Sequence, residues 1–212
     1  VTDYDLGKQI SVDITLTARG YEDKTVSSGW TAAVEPAAVV MSTPYIEGTP
    51  KVDRTLYARA AIATAGANVS YQWKRNGAAI SGAVNSYYGV TPADVGAKIT
   101  VTVTASKATY DTTTKTTDFV TGELGTIDAS SVTIAGTARV SQTLTANVSV
   151  STAGATVSYQ WYRNGTTLVG TGSSYSTTTY DNGAVISVNV TVTKSGYATA
   201  YRNSAGVAIG PA

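Results

Sequence analysis

The sequence predicts an all-β chain built from tandem sandwich domains, on three observations. Val69-Ser-Tyr-Gln-Trp-Lys-Arg-Asn-Gly77 returns as Val157-Ser-Tyr-Gln-Trp-Tyr-Arg-Asn-Gly165, with Trp161 88 residues after Trp73. A period of that size, carrying strand and turn signals, marks repeated β domains. Apolar residues alternate at Ile10, Val12 and Ile14 and again at Ile99, Val101 and Val103, the period-2 pattern of a half-buried strand. Helix-period stretches with capping signals are absent.

Taken in order, residues 1–36 read as the last strands of a truncated repeat. Val1 to Thr15 aligns with Val90 to Thr104 at a constant offset of 89, and Tyr21 falls on Tyr110 by the same offset. Val1 is expected to open a mature or excised piece. So short a segment does not normally hold a core of its own. Residues 37–122 and 123–212 read as complete domains. Each opens with an early strand, at Thr55-Leu-Tyr-Ala or Thr143-Leu-Thr-Ala, followed by a Thr-Ala-Gly-Ala loop and the tryptophan strand.

Alternation along the tryptophan strand puts Val69, Tyr71 and Trp73 on one face. Ser70, Gln72 and Lys74 (Tyr162 in the later copy) take the other face, the one expected to remain for partners. Asn76-Gly77 and Asn164-Gly165 follow as hairpin turns, since this dipeptide accepts positive φ at both positions. Thr91-Pro-Ala-Asp-Val-Gly96 then leads into the alternating strand. Its later counterpart around Tyr180-Asp-Asn-Gly183 reads as one residue shorter, so its turn is expected to differ.

Charged residues make up 14% of the chain, the net charge is +1 and no basic run occurs, which removes the footprint of a nucleic-acid binder. The absence of cysteine excludes disulfides, thiolate nucleophiles and thiolate metal sites. The absence of histidine takes away the usual near-neutral base and the commonest transition-metal ligand. No apolar run approaches the ~20 residues that span a bilayer, so no membrane insertion is expected.

The tryptophan strand with Arg-Asn-Gly, the later Asp-x-Gly turn and a following Gly-Tyr resemble the bacterial immunoglobulin-like repeats of extracellular and S-layer-type surface proteins. Such modules also accompany secreted glycan-degrading enzymes. The resemblance covers both complete units and, through Asp5-Leu-Gly7 and Gly20-Tyr21, the first 36 residues. It implies tandem immunoglobulin-like β-sandwiches without disulfides. The half-cystines of the family's bridge are then replaced by apolar residues near Ala60 or Val148 and near Ile99/Val101 or Ile186/Val188. It makes Trp73 and Trp161, with Tyr71 and Tyr159, the expected core pins.

Other residues admit two readings. Arg75 with Asp94, and Arg163 with Asp181, are candidate ion pairs closing one end of each sandwich. They read equally well as solvated arginines beside turn-capping aspartates. Asp3, Asp5, Glu22 and Asp23 lack the spacing of a calcium loop and read as solvated carboxylates. Tyr21, Tyr110 and Tyr197 recur at the end of one strand, either as sugar platforms or, more commonly, as plugs against the strand end or a neighbouring domain. Lys107 and Lys194 hold equivalent places where an isopeptide cross-link is conceivable, although the first unit has Ala18 there.

The sequence therefore points to a structural stalk, spacer or lattice segment of an extracellular, cell-surface protein or fibre, with no enzymatic activity and no cofactor. Its expected partners are other domains of the same protein or identical subunits. One alternative is an adhesive module binding glycans or a host. The other is a subunit that polymerises by strand complementation of its incomplete first domain, with Trp30, Ile10, Val12 and Ile14 as the assembly surface.

Overall fold

A computed structural model describes all residues, 1–212, and contains strands and short 3-10 turns but no α-helix. The fold is a tandem of β-sandwiches. In the middle sandwich a three-stranded sheet runs Tyr45–Glu47, Thr55–Arg59, Tyr87–Gly89 in spatial order. The opposing sheet runs Val120–Thr121, Lys98–Ser106, Asn68–Arg75, Ala78–Ala79, with Thr113–Thr116 also paired to Lys98–Ser106. The third sandwich repeats this plan, with Thr133–Ala135, Thr143–Asn147 and Ser174–Ser176 in one sheet. Its second sheet runs Thr167–Gly170, Thr156–Arg163, Val185–Thr193, Ala200–Asn203.

The alternating strands supply one wall of each core. Along Lys98–Ser106 every second residue is buried, and Ile99, Val101, Val103 and Ala105 are completely so. Ile186, Val188 and Val192 match them, with Val190 only 1% exposed. The facing wall is set by Leu56 and Ala58, and by Leu144 and Ala146, not by Ala60 and Val148, which are only half-buried. The reason is where the strands stop: Thr55–Arg59 and Thr143–Asn147 both end just before those positions, so alternation turns the earlier residues inward.

Trp73 and Trp161 are wholly buried. Register places Trp73 opposite Val101 and Trp161 opposite Val188. Each indole lies against a tyrosine, Trp73 with Tyr88 at 5.5 Å between ring centroids and Trp161 with Tyr175 at 5.9 Å. Each indole N–H donates to a backbone carbonyl at 2.9 Å, that of Asn85 or Gly172. Burial weakens outward along the strand: Tyr71 and Tyr159 are half-buried and Val69 is exposed.

The hairpin turns follow from their residues. Asn76 and Gly77 have φ of 49° and 85°, and Asn164 and Gly165 of 52° and 74°, a region that asparagine tolerates and glycine enters freely.

The turn before the alternating strand has the same length in both sandwiches, contrary to the expectation of a shorter one at Tyr180. Pro92–Asp94 and Thr179–Asp181 are matching 3-10 turns, each following a threonine cap. The two sequences keep one register up to the Asn-Gly turn and a register one residue shorter by Tyr88 and Tyr175, so the deletion falls in the intervening segment. The turn itself is pinned by its aspartate. Thr91 donates N–H and Oγ1–H to Asp94 at 2.7 and 2.8 Å, and Thr178 does so to Asp181 at 2.7 and 3.0 Å. Thr2 and Asp5 form the same box at 2.7 and 3.1 Å, which gives Asp5 a structural role.

Ahead of the sandwiches, Asp13–Leu16 and Lys24–Ser27 form an isolated antiparallel hairpin with Ile14 opposite Val26. Its apolar side chains are open to solvent: Val12, Ile14, Leu16 and Val26 are all more than half exposed and Trp30 is 70% exposed, while Ile10 is half-buried.

By Cα proximity the chain forms two compact units. One is Val1–Glu47, Tyr57–Tyr88 and Ile99–Val120, and the other is Gly48–Leu56, Gly89–Lys98 and Thr121–Ala212.

Candidate functional site

Two polar constellations stand out, both within the second compact unit. The first is the Arg163–Asp181 pair. Asp181 is completely buried by the turn that Thr178 caps, and Arg163 ends the tryptophan strand beside it. The Arg163 Nε–H donates to Asp181 Oδ1 at 2.7 Å, and the Tyr175 hydroxyl donates to Oδ2 at 2.8 Å. Burial pushes the Asp181 carboxyl up, but the Thr178 N–H, Arg163 and the two hydroxyls outweigh it and hold the group below the usual carboxylate value. Burial, and then the neighbouring carboxylate, push the Tyr175 hydroxyl up. Both carboxylate oxygens of Asp181 are thus engaged by structural donors, which suits a strut rather than a proton-transfer group.

In the middle sandwich Asp94 is likewise buried in its threonine-capped turn, and Arg75 donates to the Tyr88 hydroxyl at 3.2 Å.

The second constellation is built on Tyr197. Its hydroxyl donates to the Asp53 carboxylate and accepts from Lys194 Nζ at 3.1 Å. Lys194 Nζ also lies 3.8 Å from Asp53 and 4.1 Å from the Tyr197 ring centroid. Glycines allow this close approach. A Cβ on Gly125 would stand 2.6 Å from the tyrosine ring, and one on Gly196 would stand 2.6 Å from Pro92. Gly125–Thr126 and Tyr197–Ala198 also pair as short parallel strands. Tyr197 is 9% exposed, so it is a plug and not a sugar platform, whereas Tyr21 is 81% exposed. Lys107 lies 4.7 Å from the Tyr110 ring centroid. Both lysines therefore sit on aromatic faces.

The partner face assigned to the tryptophan strand needs correcting. Gln72 is half-buried, and its side-chain amide donates to the carbonyls of Trp73 at 2.9 Å and Ile80 at 3.0 Å. It serves the chain's own turn. Gln160 is exposed and accepts from Tyr162 at 3.3 Å.

No group of three or more His, Cys, Asp or Glu residues is arranged to hold a metal ion. No helix is long and apolar enough to cross a membrane. Sequence reasoning missed Asp53, because its link to Tyr197 spans 144 residues and no local pattern announces it.

No family model and no curated protein matches the chain. Among solved structures it is similar to the three N-terminal domains of the highly immunogenic outer capsid protein (Hoc) of bacteriophage RB49. The identity is 16% and the TM-score 0.36, with 76% of this chain and 58% of that one covered. Tandem Ig repeats of Dlar match at 13% identity and TM-score 0.26, covering 84% of this chain and all of theirs. Murine CEACAM1b matches at 12% and 0.27, covering 80% and all of its chain. At these values the likenesses concern the fold and carry no argument for function.

Replacing Asp181 with Asn is expected to lower stability by roughly 1.5–3 kcal/mol at pH 7, since it weakens the hydrogen bonds that a buried carboxylate accepts from a partly exposed arginine and a tyrosine. Because the folded-state pKa of Asp181 is lowered, its contribution is complete above the unfolded carboxyl value of about 4 and is lost as pH falls through the lower folded value. Urea midpoints of wild type and Asp181→Asn should differ at pH 7, and the gap should narrow as pH falls below about 4. A gap that does not narrow at all as the pH is taken down through the acid range would contradict this assignment.

Proposed function

We propose that this chain is a non-enzymatic spacer or stalk segment of an extracellular surface protein or fibre, whose sandwiches serve to carry and separate other parts. The observation behind this reading is the Tyr197 plug. The tyrosine and lysine at a strand-end loop, where a binding module would display side chains, are engaged with Asp53, Gly125 and the neighbourhood of Pro92 inside one compact unit. The near-identical tryptophan strands of the two complete repeats agree with a load-bearing unit used twice over rather than two specialised binding domains. A bacterial surface setting follows the sequence resemblance.

A second reading is favoured by one observation, the exposed apolar hairpin. Val12, Ile14 and Leu16 occupy the repeat positions of Val101, Val103 and Ala105, which are fully buried, so self-association of identical subunits through this hairpin is the alternative partner assignment.

Single-molecule stretching tests the spacer reading. Two separate unfolding events are expected, each releasing roughly 25–30 nm as one complete sandwich comes apart. A featureless extension would overturn it. Light scattering across a hundredfold range of concentration decides the second reading: a constant monomer mass sinks it, and growth of mass supports it.

A further inference from the structure

A polar cavity of about 400 Å³ lies within the second compact unit, lined by Lys51, Arg54 and Lys194 together with Thr126, Ser151 and Thr152. The turn that presents the first two cations is tightly held. Arg54 N–H donates to the Lys51 carbonyl at 2.9 Å, while Val52 and Asp53 donate to the carbonyls of Glu123 and Val90, each at 3.1 Å. Asp53 takes φ 65° at its centre.

The charges in this cavity do not cancel. Asp53 is its one carboxylate, and that group is engaged by the Tyr197 hydroxyl and by Lys194 at 3.8 Å. Lys51 and Arg54 make no side-chain hydrogen bond or ion pair. Two uncommitted cations therefore border a hollow whose lining also includes the Thr126 and Thr152 hydroxyls, while the Ser151 hydroxyl donates to the Asp128 carboxylate. The volume falls within the range of small-ligand sites, about 300–1,000 Å³, but the lining is polar where drug-like pockets are apolar. A guanidinium and an ammonium lining one hollow suit a planar or tetrahedral oxyanion, and hydroxyls in the same lining suit a polyol ring.

We propose that this cavity binds an acidic polysaccharide, with Lys51 and Arg54 holding one oxyanion group and the Thr126 and Thr152 hydroxyls meeting the sugar that carries it. The site goes beyond the spacer reading and does not depend on it: a spacer without this site is still a spacer.

Calorimetric titration at about 0.15 M salt, where long-range attraction between exposed charges is screened beyond roughly 8 Å, tests it. The probes are dextran sulfate, hyaluronate and neutral dextran. Dextran sulfate or hyaluronate should bind and neutral dextran should not, and whichever acid binds more tightly tells sulfate from carboxylate. The double variant Lys51→Ala/Arg54→Ala should weaken binding about tenfold or more. Arg19→Ala/Lys24→Ala removes the same charge from the 13–27 hairpin, outside the cavity, and should leave affinity within about twofold. No binding by either acid, equal binding of neutral dextran, or equal losses in the two double variants would each overturn the proposal. The last of these would reduce the effect to net charge.

Discussion

Each sandwich depends on one buried indole. With no cysteine available, the two sheets of a sandwich have no covalent tie, and their union rests on packing alone. Trp73 and Trp161 fill that role because each satisfies two demands at once. The ring is wholly buried against a tyrosine, and its N–H reaches a carbonyl, so no polar atom is stranded. The valines opposite them and the leucines of the facing sheet complete the layer. Around this layer the buried aspartates pin the turns, and Arg163 with Tyr175 ties the Asp181 turn to the end of the tryptophan strand and to the very tyrosine that stacks on the indole.

The same requirement makes sense of the first 36 residues. The 13–27 hairpin has the alternating strand but no tryptophan strand beside it, and its inward positions face solvent. Leu16 is 61% exposed, whereas Ala105, its counterpart by the repeat, is fully buried. What distinguishes the two cases is the wedge and the facing sheet, since the strand pattern itself is shared.

Much of this was legible because it is local. Asn-Gly turns specify positive φ by themselves, and alternation at Ile99, Val101 and Val103 specifies which side is buried. The errors came where a local pattern has no voice. Ala60 and Val148 look inward only if the early strand is carried past its end. Gln72 looks outward by alternation, yet backbone carbonyls after the turn recruit its amide. The apparent shortening near Tyr180 was misplaced because a deletion is visible in sequence as a change of offset, whereas its location depends on which turn the aspartate fixes. The Tyr197, Asp53 and Lys194 cluster joins residues far apart in the chain, and one sequence read alone contains no sign of that pairing.

The dependence on the indole is open to one direct measurement, residue-resolved hydrogen exchange on wild type and Trp161→Ala. Truncating a buried tryptophan costs about 3–5 kcal/mol, which corresponds to two or more decades of lost protection. That loss should appear at Val188 and Val190, beside the vacated site, while Val101 and Val103 around Trp73 keep their wild-type rates. A loss below tenfold at Val188 and Val190 would contradict the central role given to the tryptophan, and so would an equal loss at Val101 and Val103.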